Sequence, residues 1–370
     1  MESWPRQQGV NSEWISTNIL PDSFNLSATL NSGQAFRWVE GPNSLEFVGV
    51  IGDRVWRLRQ TSADTPVAFH RSCATTTELE LLRTRGQIPL PLVSYFRLDT
   101  FLDDLFSTWL DKDHLLREFF SSSHVQGINR FKGLRLLNQD PREAIFAFIT
   151  SANNNVPRIS KLLIALSVRY GKKMWSHETV SVYSFPTLEA LARPGTEVEL
   201  HKIGFGYRAK FIPAVARKLI EAGGDAFLAK LRVASYKECK TFLLDLPGIG
   251  NKVADCICLS CLNKVEVVPV DVHISRAAAL RGVRPPTTTA SSSSLSSTAY
   301  RHISQGLSEL WHPFAGWAQV IVFSIHLHGQ SNGTKRTNTK SKPKKEAANS
   351  GAATSTSDVP ISRRKRARHM

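Results

Sequence analysis

The chain has little sulfur and no long apolar run. Of its 370 residues, five are cysteine (Cys73, Cys239, Cys256, Cys258, Cys261) and three are methionine. Five cysteines in no evenly spaced set argue against a disulfide framework and for a reduced intracellular compartment. No apolar stretch approaches the ~20 residues of a membrane span, so a soluble protein is expected. The opening residues, MESWPRQQGV, carry neither a basic start nor an apolar h-region, and no secretory signal is expected. Acidic residues are also scarce. Asp and Glu number 31 against 47 Lys and Arg, a net charge of +16, which fits a polyanionic partner.

What is present suffices for a folded body. Apolar residues make up 42% of the chain, enough for two or three cores. Residues 331–370 are different: eleven Lys or Arg stand against only Glu346 and Asp358, and large apolar side chains are few. Residues 329–370 are therefore expected to be a disordered basic tail. Within it, KRTNTKSKPKK (335–345) and RRKRARH (363–369) read as nuclear-import signals, a nucleic-acid tether or a solubilising extension. A nuclear location, with a mitochondrial fraction, is the expectation.

Residues 10–120 contain short alternating runs: AFRWVE (35–40), LEFVGVI (45–51), RVWRLRQ (54–60) and TPVAFHR (65–71). Turn chemistry at 41–43 and 52–54 separates them, which predicts an antiparallel sheet with flanking helices. Between about 100 and 328 the period becomes helical. Asp140-Pro141-Arg142-Glu143 reads as an N-cap, a first-turn proline and a capping-box acid. Further helical stretches are PRISKLLIALSVRYG, TLEALA, FIPAVARKLIEAGG, YKECKTFLLDL, NKVADCICLSCL and GWAQVIVFSIHL. Residues 121–328 are expected to form an all-α domain, with 285–300 (PPTTTASSSSLSSTAY) a low-complexity loop inside it. The fold class is α+β.

The segment Leu246-Pro247-Gly248-Ile249-Gly250-Asn251-Lys252 carries the chemistry. A P-loop would need glycine at Asp245 and Ser or Thr at Val253, and a dinucleotide fingerprint would need a glycine at Val253. Both fail. Helix–hairpin–helix fits: a tight glycine turn leaves backbone N–H groups at a helix N-terminus, where they bind a DNA phosphate without reading a base. Ile249 would pin the hairpin to the core. Lys252 sits at the mouth of an apolar helix, with Cys256 at i+4 facing the same way. Burial would lower its pKa and free an amine nucleophile, although a second phosphate contact fits equally. Asp271, framed by Pro269, Val270 and Val272, is costly unless it caps, pairs or reacts. His273 is a core histidine or a phosphate donor.

Several motifs in one order resemble the HhH-GPD superfamily of base-excision DNA glycosylases. They are NSGQAFRW (31–38), LLNQDPREAIFAFITSANNNVPRI (136–159), IGFGYRAKFI (203–212), DLPGIGNKVADCICL (245–259), VPVDVH (268–273) and GWAQVIVFS (316–324). Within the superfamily the chain is most similar to the eukaryotic 8-oxoguanine DNA glycosylase/AP lyases, over roughly residues 10–328. The resemblance implies an N-terminal sheet like that of the TATA-binding protein, packed on a helix-hairpin-helix domain. It implies removal of 8-oxoguanine opposite cytosine from duplex DNA, through a lysine imine, followed by strand nicking. Lys252 resembles the nucleophile and Asp271 the carboxylate supporting a developing oxocarbenium ion. Gly33 resembles the residue whose carbonyl accepts from N7–H of the lesion, Phe323 and Cys256 those flanking the flipped base, and Gln319 the reader of its Watson–Crick edge. Asn153, Arg158, Tyr207 and Arg208 resemble the wedge and orphan-cytosine contacts. Gly248, Gly250, Val253 and His273 resemble the phosphate anchors.

Two departures stand out: His326 where the family commonly has an acid, and Ser260 where a larger apolar residue is usual. Iron–sulfur relatives place four cysteines after the aspartate, whereas no cysteine follows Cys261. No cluster, metal or other cofactor is expected, and a monomer is. Rival readings are a non-catalytic hairpin DNA binder and a helix-hairpin-helix glycosylase of different base specificity.

Overall fold

The computed structural model describes residues 13–41, 46–62, 64–122, 131–285 and 295–331, with side chains to 327. Both basic clusters of the tail lie outside them. The described residues belong to one compact unit.

The first part carries β1 (Trp14–Ser16), α1 (Leu26–Leu30), β2 (Val39–Glu40), β3 (Glu46–Ile51), β4 (Arg54–Arg59) and β5 (Ala68–His70). Helices α2 (Thr76–Arg85) and α3 (Leu90–Phe96) follow. The five strands form one antiparallel sheet in the order β1-β5-β4-β3-β2, with Phe47 opposite Leu58 and Leu58 opposite Phe69. That register puts Phe47, Trp56, Leu58 and Phe69 into a core closed by α1, α2 and α3 through Leu26, Leu82 and Phe96. Period-two patterning with β-branched and aromatic residues explains the strands. A reciprocal Thr75–Glu78 capping box starts α2, and Gly86 in the left-handed region ends it.

The remainder is α4 (Leu102–Lys112), α5 (His114–Ser121), α6 (Pro141–Ser151), α7 (Val156–Tyr170), a hairpin β6 (Lys173–His177) and β7 (Val180–Tyr183), then α8 (Leu188–Ala192), α9 (Thr196–Ile203), α10 (Phe211–Glu221), α11 (Gly224–Val233), α12 (Tyr236–Leu244), α13 (Asn251–Cys261), α14 (Val272–Leu280), α15 (Ser297–Leu310) and α16 (Ala315–Ser331). Helix α6 is apolar all round and buried from Ala144 to Thr150, packing against α7 and α13 in the largest core. A third core joins α4 and α5 to α14, α15 and α16. There the Arg281 guanidinium donates to Asp113 at 2.6 Å, and the Trp311 indole N–H donates to the same carboxylate at 2.8 Å.

Three local expectations are corrected. The β6–β7 hairpin interrupts the helical region: its strands are too short and polar to stand out beside long helices, and they form against β3 and β4. Glu143 does not close a capping box. Asp140 accepts from the Glu143 N–H at 3.1 Å, but the Glu143 carboxylate pairs with Arg37 of the N-terminal part. The low-complexity stretch ends earlier than expected, because Ser296 caps α15 and Tyr300 is buried at 5% exposure.

Candidate active site

The hairpin sits between α12 and α13. Gly248 has φ +84°, and a Cβ there would lie 2.5 Å from the Phe211 ring, so the turn admits glycine alone. Ile249 is 7% exposed and joins the main core as the expected pin. Gly250 behaves differently from the expectation of positive φ: its backbone is extended and a Cβ would meet nothing within 4 Å. No side chain caps α13. The first-turn N–H groups, that of Val253 included, are therefore available to an anion at the positive end of the helix dipole.

Lys252 projects from that first turn, its Nζ 5.9 Å from the centre of the Phe148 ring and within electrostatic reach of Cys256 and Asp271. Burial works against its charge, but Cys256 and Asp271 outweigh burial and hold its pKa above the ordinary lysine value. Burial also pushes the Cys256 thiol up. The expected lowering of the lysine pKa is not met, because Cys256 and Asp271 together act against burial.

Asp271 is the N-cap of α14. Its Oδ1 accepts from the His273 and Ile274 N–H groups, both at 2.9 Å. Capping and reacting are compatible here, since the cap uses one oxygen and leaves Oδ2. His273 is half-buried, its Nδ1 has no partner, and its ring lies edge-on to Phe323 with centroids 6.0 Å apart. Phe323 in turn meets Gly33: at φ +83°, a Cβ on Gly33 would be 3.3 Å from Phe323 Cε1. One continuous group thus runs from Gly33 through Phe323 and His273 to Asp271, Lys252 and Cys256. Gln319, one turn before Phe323 on α16, is 8% exposed and makes no hydrogen bond to another described residue.

A second group surrounds the end of α6. Asn153 is exposed in the left-handed region at φ +49°, and Tyr207 is half exposed with its hydroxyl donating to Ala152 O at 3.2 Å. Arg158 is exposed and donates to Gly204 O at 3.2 Å. Arg208 differs from the expectation of an open donor. It is 3% exposed, and its guanidinium donates to the carbonyls of Ala152 (2.8 Å) and Asn153 (2.7 Å). It braces the loop that presents Asn153, and stacks 4.5 Å from the Tyr207 ring centre. Of the two departures, His326 bonds the Val322 carbonyl on its own helix at 2.8 Å, and Ser260 is 4% exposed with an unpartnered hydroxyl.

The sequence reading passed over Asp255, Tyr236, Lys240 and Tyr300. Asp255 is fully buried on α13 and takes hydrogen bonds from all three of the others. The signal was available: a carboxylate inside KVADCICL raises the same question as Asp271. Among the described residues, no group of three or more His, Cys, Asp or Glu side chains could hold a metal ion. No described helix is long and apolar enough to cross a membrane.

An uncapped hairpin helix bearing a lysine, opposite a carboxylate that caps the next helix, places the chain in the helix-hairpin-helix repair class. Residues 146–297 match the model of the HhH-GPD superfamily base excision DNA repair protein. Residues 17–145 match the 8-oxoguanine DNA glycosylase N-terminal domain, and the chain belongs to that family. It is 33% identical over 340 residues to the N-glycosylase/DNA lyase of Saccharomyces cerevisiae, covering 84% of this chain and 85% of the yeast protein. Among solved structures it resembles MBOgg1 in complex with a low-affinity DNA ligand, with 27% identity, TM-score 0.68, and coverage of 86% of this chain and 96% of that one. It also resembles the Clostridium acetobutylicum 8-oxoguanine glycosylase/lyase bound to double-stranded DNA with cytosine opposite 8-oxoG: 25% identity, TM-score 0.67, coverage 85% and 94%.

Proposed function

We propose that the chain is a bifunctional DNA glycosylase and AP lyase that removes 8-oxoguanine paired with cytosine. The observation that carries the reading is the buried Lys252 on an uncapped hairpin helix, with Asp271 fixed nearby by its own cap. Once Lys252 has lost its proton, Nζ attacks C1′ of the damaged nucleotide. The C1′–N9 bond breaks, its electrons leave with the base, and the base takes up a proton. Asp271 supports the positive charge that develops on the sugar, an interaction strengthened in a site walled off from water. Ring opening then gives an imine between Lys252 and C1′. The imine acidifies the C2′ proton, and its loss expels the 3′ phosphate.

Backbone N–H groups of the hairpin hold a phosphate while Gly33, Phe323, Cys256 and Gln319 receive the flipped base. Asn153, Tyr207 and Arg158 fill the gap and meet the orphaned cytosine, with Arg208 bracing them. Extrusion costs a few kcal/mol, offset by these contacts. The chemistry assigned here is carried by side chains, without an iron–sulfur cluster.

Borohydride reduction tests the reading, because only an imine is fixed covalently to DNA. The unsubstituted protein should trap on duplexes carrying 8-oxoguanine opposite cytosine. Lys252→Gln should bind the same duplex yet neither trap nor nick. Retained nicking in Lys252→Gln would overturn the assignment.

A further inference from the structure

We infer that Tyr300 is a positioning residue, whose hydroxyl ties the lysine-bearing helix to the segment carrying Asp271. The inference rests on the reaction proposed above. Helix α13 presents Lys252 and Cys256 on one side and, three residues after Lys252, Asp255 on another. The Tyr300 hydroxyl donates to Asp255 Oδ2 at 2.7 Å. The Tyr300 hydroxyl oxygen also accepts from the Val270 N–H at 3.3 Å. Val270 immediately precedes Asp271. One buried atom therefore touches both the helix that carries the nucleophile and the backbone that carries its carboxylate.

The bridge is anchored on its other side. Asp255 also accepts from the Tyr236 hydroxyl at 2.8 Å and from Lys240 Nζ at 3.0 Å, both on α12. Burial first, and then the Asp255 charge, push both phenols well above the ordinary tyrosine value. They remain donors at any working pH. Asp255 is 0% and Tyr300 5% exposed, so little water competes for these bonds. Tyr300 reaches this point only because α15 starts at Ser297, just past the serine-rich stretch.

Tyr236→Phe provides the internal comparison. It removes a donor to the same carboxylate but leaves Val270 untouched. Tyr300→Phe removes the donor and the link to Val270 together. The test is single-turnover excision and borohydride trapping on an 8-oxoguanine·cytosine duplex, beside affinity for that duplex measured under trapping-free binding conditions and the melting temperature of each variant. Misplacement of reacting groups by about 1 Å costs on the order of a hundredfold in rate. Tyr300→Phe should lose at least about tenfold in rate with affinity unchanged, and Tyr236→Phe less than about threefold at a similar melting temperature. Equal losses in the two variants, or a rate loss in Tyr300→Phe matched by a loss of affinity, would overturn the inference.

Amide hydrogen exchange of the unsubstituted protein gives a second measurement that needs no variant. The Val270 N–H should exchange slowly, and exchange as fast as in an open loop would refute the bridge. Should the unsubstituted protein itself fail to trap, the proposed reaction falls and this inference with it. Normal trapping with an unaffected Tyr300→Phe sinks the positioning role alone.

Discussion

Two lysine–aspartate pairs lie close together in the chain and behave in opposite ways. Lys240 and Asp255 close at 3.0 Å, with two tyrosine hydroxyls completing the carboxylate's shell. Lys252 and Asp271 interact through charge but make no direct ion pair among the described residues, and Asp271 Oδ1 caps α14. The first pair is saturated, so it holds elements together. The second is left unsaturated, with an amine and a carboxylate oxygen still open. A buried charged pair is structural or reactive according to how many of its hydrogen-bonding positions the fold already fills.

The largest effects should come from neutralising each carboxylate in turn. Asp271→Asn keeps a capping side chain, so its melting temperature should stay close to that of the unsubstituted protein, while excision falls on the order of 10²–10³-fold. Asp255→Asn should do the reverse in kind, losing roughly 3 kcal/mol of stability because Lys240 is left beside a neutral amide. Thermal melts and single-turnover rates on both proteins check this. If Asp271→Asn unfolds the protein while Asp255→Asn is thermally silent, the contrast between the pairs is broken.

Titration sharpens the same contrast. With burial outweighed by Cys256 and Asp271, the Lys252 pKa lies above the ordinary value and the amine is an ammonium at neutral pH. The rate of imine formation at a pre-formed abasic site should climb about tenfold per pH unit from roughly pH 6 to 9. A plateau already reached below pH 7 would mean that the amine is free and the charge coupling absent.

The hairpin glycines give the smallest and most local test. Gly248→Ala combines a positive φ with a clash against Phe211 and should cost about 1–2 kcal/mol. Gly250→Ala meets nothing within the protein and should melt within a degree or so of the unsubstituted chain, while weakening binding to duplex DNA. Unweakened DNA binding by Gly250→Ala would remove that glycine from the phosphate anchors.

Much of the site was legible before any coordinates. Lys252 and Asp271 stood out because each is a charge in an apolar frame, and the LPGIG turn identified the hairpin. Long helices such as α6, α7 and α13 followed from their periodicity. The β6–β7 hairpin did not, because its strands are short and polar and the strands β3 and β4 that they pack against lie far away in sequence. Arg37 pairing with Glu143 and Arg208 bracing Ala152 were hidden for the same reason.

By itself, the sequence determined the N-terminal strands, the longer helices, the hairpin turn and which two groups could react, since turn chemistry, periodicity and isolated charges are local properties. Tertiary structure decided the protonation of Lys252, the dual duty of Asp271 and the linkage through Tyr300. Each depends on distances between segments that only packing brings together, where burial and neighbouring charge set the energies.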